Sequence, residues 1–343
     1  MTLRVVQWSS GNIGARTLRG VIEHPRLELV GVYAHSAAKA GRDAGAIAGL
    51  EGGPVGVRAT ADRDEILALG ADCVLYTPLW CDFDDVCALL ESGANVVTTR
   101  AEFLRPASLD PAIRGRVEAA CARGNTSIHS TGSSPGFITE ALPLVVTSLQ
   151  RRLDGLRIDE YADLSRRDSP ALLFDVMGFG QEPSDFGERR LNALTDSFGP
   201  SLRLLADALG TPLEQVDAAG EFALTKEPLT IAAGTLPAGS VAGQRITITG
   251  RRGGRPFLTF RANWFCGREL EPRWDLRETG WRVTVEGDAP LNIDLVFPVP
   301  LERMAAMSPA YTANRAVNAI PYVVEAAPGI RTTLDLPQIV AAL

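Results

Sequence analysis

The residues best placed to do chemistry stand near the start of the chain. Ser9-Ser10-Gly11-Asn12-Ile13-Gly14 follows a β-branched run and opens an amphipathic stretch, the spacing of a dinucleotide-binding turn with serine in place of its first glycine. In such a turn Gly11 lets the backbone approach a pyrophosphate and Gly14 lets the helix pack closely on the strand. The helix N-terminus adds free N–H groups and positive dipole. His35-Ser36 closes the second strand, where an NAD-specific site usually carries an acid for the ribose 2′-hydroxyl, and no acid stands there. Ser36 can hydrogen-bond a 2′-phosphate, and Lys39, Arg42 or Arg16 can supply its countercharge. The pattern favours NADP, with NAD tolerated. Tyr76-Thr77-Pro78, Thr98-Thr99 and Gly132-Ser133 lie at or after the ends of later strands, at the edge where open α/β sheets bind ligands. They are candidates for the nicotinamide end of the cofactor.

These residues need a scaffold, and the first 130 residues supply its rhythm. Strands are expected at Arg4 to Gln7, Leu27 to Tyr33, Cys73 to Tyr76, Asn95 to Thr98 and Thr126 to Ser130, with a weaker one near Gly56 to Ala59. Helical spacing covers Asn12 to Ile22, Asp62 to Leu69, Asp82 to Glu91 and Pro111 to Arg123. The alternation reads as a doubly wound parallel α/β sheet, a Rossmann domain, over residues 1–135. From residue 136 the pattern changes. A helical stretch from Phe137 to Leu149, a strand at Leu156 to Ala162 and a second helical region at Ser184 to Leu209 precede two hairpins, Gln244 to Gly250 with Pro256 to Trp264 and Trp281 to Glu286 with Leu291 to Phe297. A second α+β domain of mostly antiparallel strands is expected over residues 136–300, for substrate binding and dimerisation. Residues 301–343, with a helix at Thr312 to Ala326, should return to the first domain.

Composition removes several classes of function. Hydrophobic residues make up 45% and charged residues 22%, enough apolar side chain for two cores in 343 residues. A net charge of −7 opposes a phosphate backbone, so nucleic acid is not an expected partner. Cys73, Cys81, Cys87, Cys121 and Cys266 form no CxxC pair and no metal-ligand spacing with histidine, so no metal is expected and the thiols should be reduced. The first strand begins almost at once, which leaves no room for a signal segment. The apolar stretch from Ala141 to Leu149 is far shorter than the roughly 20 residues of a membrane span. A cytoplasmic protein without a membrane partner is expected.

Taken together, Val6-Gln7-Trp8-Ser9-Ser10-Gly11-Asn12-Ile13-Gly14, Leu29-Val30-Gly31-Val32 with His35-Ser36, Asn95-Val96-Val97-Thr98-Thr99, Ser134-Pro135-Gly136-Phe137 and Asn318-Ala319-Ile320-Pro321 resemble the dihydrodipicolinate reductase-like group. Within it, the pattern is most similar to 2,4-diaminopentanoate dehydrogenase and the native amine dehydrogenases. The paired-histidine and lysine motif of true dihydrodipicolinate reductases is missing. Its region reads Asp159-Glu160-Tyr161-Ala162-Asp163-Leu164-Ser165, and the only histidines are His24, His35 and His129. The resemblance implies reductive amination of a ketone or aldehyde with ammonia, or the reverse deamination of an amine, and a glutamate in the loop after Asn95 to Thr99. Glu102 in Thr98-Thr99-Arg100-Ala101-Glu102-Phe103 is that candidate. A carboxylate there can move protons as ammonia adds and can stabilise an iminium. Relatives commonly carry two adjacent acids where this chain has Ala101-Glu102. Phe137, Phe174 and Met177 are candidates for an apolar substrate pocket, with Phe179, Trp264 and Trp281 as further aromatics. A homodimer on the second-domain sheet is expected. Two other readings stay open: a carbonyl or alcohol oxidoreductase with the same cofactor, and a non-catalytic NADP sensor.

Overall fold

The computed structural model describes residues 2–184 and 186–341. The chain divides into two compact units, one of residues 1–137 with 308–343 and one of residues 138–307. The first unit alternates β1 (Leu3–Trp8), α1 (Asn12–Glu23), β2 (Leu27–Tyr33), α2 (Ala44–Ala48), β3 (Ala59–Thr60), α3 (Arg63–Leu67), β4 (Cys73–Tyr76), α4 (Phe83–Glu91), β5 (Asn95–Thr98), α5 (Pro111–Gly124) and β6 (Ser127–Ser130). These six strands are all parallel, in the order β6-β5-β4-β1-β2-β3. Val6, Val74 and Val96 enter a core with Val86, Leu89, Leu90 and Val117, while Val5, Leu75 and Val97 enter another with Val21, Ile320 and Val323. Side chains alternate along a strand, so each of these strands buries both faces beneath helices. That is the doubly wound Rossmann arrangement. Asp62, Asp82 and Asp110 start α3, α4 and α5 by accepting hydrogen bonds from first-turn N–H groups.

The second unit contains α6 (Leu142–Thr147), β7 (Leu153–Asp163), α7 (Glu188–Ala208), β8 (Gln215–Thr225), β9 (Leu229–Ile231), β10 (Gly234–Leu236), β11 (Val241–Arg252), β12 (Arg255–Phe265), β13 (Leu270–Glu271), β14 (Gly280–Gly287) and β15 (Leu291–Val296). Its main sheet runs β13-β8-β11-β12-β7-β14-β15. Only the β12–β7 pair is parallel; the other five pairs are antiparallel. Helix α7 lies on one face, where Phe198 stacks on Phe260 with ring centroids 4.3 Å apart. Helix α8 (Leu301–Val324) and strand β16 (Gly329–Arg331) follow, and β16 adds to the first sheet beside β6 in parallel.

Several expected elements change. The stretch from Phe137 to Leu149 is not one helix. Its regular part is α6, and the wound segment before it breaks at Ser134, Pro135 and Gly136, the last at φ +120°. Proline has no N–H to continue a helical ladder, and Pro143 stands in the first turn of α6 as a fresh start. The strand near Gly56 to Ala59 moves to Ala59–Thr60. Helix α8 begins at Leu301 rather than Thr312 and runs through Pro309. Among the described residues no helix is long and apolar enough to cross a membrane.

Candidate functional site

The turn between β1 and α1 has the shape its sequence implies. Ser9 takes φ +81°, the left-handed conformation open to glycine and costing other residues roughly 1–2 kcal/mol. A Cβ on Gly14 would lie 2.3 Å from the Ser9 carbonyl oxygen, so helix and turn touch only because glycine stands there. A Cβ on Gly11 would meet nothing within 4 Å. Gly11 is also the N-cap of α1, and it lacks a side-chain cap. Open space over a glycine at a helix N-terminus fits a dinucleotide pyrophosphate. Ser10 is buried, while Gly11 and Asn12 face solvent and Ile13 is half-buried. Arg16 is turned back onto Asn12, donating to its side-chain and carbonyl oxygens.

Sequence reading did not single out Gln7, which organises this turn. Its buried Nε2 donates to the Ser9 carbonyl at 2.8 Å and to Thr77 Oγ1 at 2.9 Å, and its Oε1 accepts from Thr17 Oγ1 at 2.6 Å. The signal was available: an amide interrupting the apolar run Val5-Val6-Gln7-Trp8 must find buried partners. Lys39 reaches the same turn, donating from Nζ to the Ser10 carbonyl at 2.6 Å. His35 and Ser36 are exposed. Ser36 accepts the Lys39 backbone N–H at 2.9 Å, and the His35 ring stands edge-on to Tyr33 with centroids 4.8 Å apart. Ser36 and Lys39 therefore share one loop beside the fingerprint.

The later strand ends are tied to one another. Thr77 donates its N–H to the Trp8 carbonyl at 3.1 Å, and Pro78 and Thr99 are half-buried. The Tyr76 hydroxyl hydrogen-bonds Asp82 main-chain groups, and burial pushes it further up from its usual range. Buried Thr98 donates Oγ1 to the Tyr76 carbonyl at 2.7 Å. Gly132 is buried, and Ser133 pairs its hydroxyl with Thr312 at 2.7 Å.

Glu102 lies on the single turn Ala101–Phe103 after β5, anchored by fully buried Phe103. Arg100, which sequence reading also passed over, holds it. Arg100 Nη2 donates to Glu102 Oε1 at 2.8 Å and Nη1 to the Leu79 carbonyl at 2.6 Å. The Arg100 N–H meets Thr98 Oγ1 at 3.1 Å, and its carbonyl accepts from Ser130 Oγ at 2.6 Å. One arginine thus fastens the ends of β4, β5 and β6 around the acid. Glu102 Oε2 is buried with no hydrogen-bond partner among the described residues. A carboxylate with one oxygen clamped and the other bare can accept a proton or a donor from a ligand. Cys81 beside it is no nucleophile, because burial and then the Glu102 charge push its thiol up to about 12.

Phe137 belongs to the first unit, where Arg315 lies 5.9 Å from its ring centroid. Phe174 and Met177 belong to the second, half-buried against a core of Tyr161, Leu173, Phe179 and Phe265. The Met177 carbonyl accepts from Gln244 Nε2, and Arg190 donates to Gln244 Oε1 at 2.5 Å. On the same sheet Trp264 and Trp281 both donate indole N–H groups to Glu160.

Residues 137–343 match the family described as the 2,4-diaminopentanoate dehydrogenase C-terminal domain. Across 98% of its length the chain is 30% identical to an amine dehydrogenase of Streptomyces virginiae, of which it covers 96%. The chain belongs to the 2,4-diaminopentanoate dehydrogenase and amine dehydrogenase family. This family member is also 24% identical to the 2,4-diaminopentanoate dehydrogenase of Acetoanaerobium sticklandii, over 74% of the chain and 70% of that relative. Its fold matches the structure of amine dehydrogenase from Mycobacterium smegmatis with a TM-score of 0.79, at 21% identity over 100% of this chain and 98% of the other. The family expected from the strand-end motifs is the one found, and the enzyme is an oxidoreductase.

Proposed function

We propose that this oxidoreductase acts on carbon–nitrogen groups, interconverting a primary amine with the corresponding ketone or aldehyde and ammonia, with NADP preferred over NAD and Glu102 as the proton-handling group. The observation that carries the reading is the Glu102 carboxylate, clamped by Arg100 through Oε1 and bare at buried Oε2. When bound, the dinucleotide supplies the hydride acceptor or donor. The Gly11 turn and the N-terminus of α1 would hold its pyrophosphate, and Ser36 with Lys39 would receive a 2′-phosphate. In the deamination direction Glu102 takes the proton that turns a substrate ammonium into the neutral amine. It releases that proton to solvent, and the regenerated carboxylate then stabilises the iminium, takes a proton from the water that adds to the iminium carbon and returns it to the nitrogen as ammonia leaves. A cytoplasmic homodimer built on the sheet of the second unit completes the reading, and light scattering that reports a monomer at micromolar concentration would remove the dimer from it.

The deciding experiment is Glu102→Gln. Loss of an acid-base group costs on the order of a hundredfold to ten-thousandfold in rate, so turnover with an amine, or with a ketone plus ammonium, should fall by that factor. NADPH affinity and melting temperature should stay near wild type. Undiminished turnover, or ketone reduction that proceeds equally well without ammonium, would pass the reading to a carbonyl oxidoreductase.

A further inference from the structure

The face of β7 that carries Leu156 and Ile158, exposed by 2% and 0%, continues into Glu160. On that face β12 contributes Phe260, Ala262 and Trp264, and β14 contributes Val285, Val283 and Trp281, all in register with β7. A single acid therefore interrupts an apolar surface shared by three strands. Its partners are neutral: Trp264 Nε1 donates to Oε1 at 3.2 Å and Trp281 Nε1 to Oε2 at 2.9 Å. The acids on the opposite face are matched differently. Asp159 meets Arg157 and Arg261, Asp217 meets Arg251, Glu221 meets Arg245, and Asp294 meets Arg282. Glu160 has no cationic partner among the described residues.

Two indole N–H groups fix a carboxylate in place without cancelling its charge, and they leave further lone pairs on both oxygens. Glu160 and Trp264 are only half-buried, so the group can be reached. A metal ion does not suit the place. The described residues gather no group of three His, Cys, Asp or Glu side chains, and hard cations need several oxygens. An alkylammonium does suit it, with a positive charge and three N–H donors for the carboxylate and carbon for the rings, including Phe297, which meets Trp281 edge-on at 4.7 Å. We infer that Glu160, held by Trp264 and Trp281, is a binding site for the ammonium group of an organic amine. This site stands apart from the role proposed for Glu102 and is tested without turnover.

Full-length protein is titrated with n-butylammonium chloride and with 1-butanol at matched ionic strength, followed by tryptophan fluorescence and, for Trp281→Phe, by calorimetry. Butylammonium should give a saturable response at least tenfold tighter than butanol. Glu160→Gln should weaken it at least tenfold, Trp281→Phe should weaken it several-fold, and Glu102→Gln should leave it in place. Equal responses to butanol and butylammonium would overturn the inference, as would a folded Glu160→Gln protein that binds as the wild type does. If Glu160→Gln fails to fold, a folded Trp281→Phe protein with unchanged affinity overturns it instead. Binding lost in Glu102→Gln but kept in Glu160→Gln would place the ammonium elsewhere and overturn it too.

Discussion

Alanine at Gly14 and alanine at Gly11 should fail in opposite ways. At Gly14 the new Cβ would stand 2.3 Å from the Ser9 carbonyl oxygen, 2.9 Å from its carbon and 3.2 Å from Gln7 Nε2. Ordinary contact begins near 3.4 Å, so the turn has to retreat by about 1 Å. Overpacking of that kind costs about 1–3 kcal/mol. Moving the Ser9 carbonyl also weakens its 2.8 Å bond from Gln7, worth about 1 kcal/mol. The better helix propensity of alanine returns up to about 1 kcal/mol. The net loss is about 1–3 kcal/mol, or several degrees of melting temperature. At Gly11 the backbone φ is −71° and the space is open, so alanine should cost the cofactor-free protein at most about 1 kcal/mol, the loss of a glycine N-cap. In the proposed cofactor site its methyl group instead occupies the approach to the pyrophosphate, and NADPH affinity should drop tenfold to a hundredfold, about 1.4–2.8 kcal/mol. Thermal melts without cofactor and NADPH titrations separate the two effects. A Gly14→Ala protein that melts like wild type, or a Gly11→Ala protein that binds NADPH like wild type, would refute this account of the turn.

Lys39→Ala removes the cation whose Nζ lies 2.6 Å from the Ser10 carbonyl; NADPH affinity should fall roughly tenfold with NADH affinity unchanged, and a preference for NADH that ignores the substitution would reverse the cofactor assignment. His129, fully buried on β6, bonds through Nδ1 to the Arg331 carbonyl at 2.8 Å, and burial lowers its pKa from 6.5 to about 4. The unfolded chain takes up this proton first, so the His129 contribution is complete above pH 6.5 and is lost as pH falls towards 4, by about 3 kcal/mol at most. Urea unfolding of wild type and His129→Leu between pH 7.5 and 4.5 should show a stability gap that changes with pH, and a constant gap would refute the assignment.

Three of the parallel strands were legible because each is a short, largely apolar run. Leu27–Tyr33, Cys73–Tyr76 and Asn95–Thr98 have the bounds read from sequence. The fingerprint was legible for the same local reason, since strand, turn and helix are contiguous. Strand β8 was missed because Ala218, Ala219 and Gly220 carry too little side chain to show alternation. The coil before α6 hid behind apolar residues whose spacing suits a helix, while the break rests on the backbone at Ser134, Pro135 and Gly136. Arg100 and Glu160 were out of reach for another reason. Their partners, Leu79 and Ser130 for one and Trp264 and Trp281 for the other, lie on strands and loops that only the sheet registers bring together.

Strand β16 has a consequence for how this protein is made. Ser127 Oγ donates to the Val323 carbonyl at 2.6 Å and His129 meets Arg331, partners separated by 196 and 202 residues. The strands that carry the fingerprint leave the ribosome before the second unit, yet their outer strand β16 follows it. Throughout synthesis of the second unit, β6 is therefore an unpaired parallel edge, with the buried ring of His129 still open to water. Loop closure over such separations is slow, and an open strand edge invites pairing with other chains. Synthesis of β16, rather than completion of the fingerprint, is the event that covers the β6 edge of this sheet.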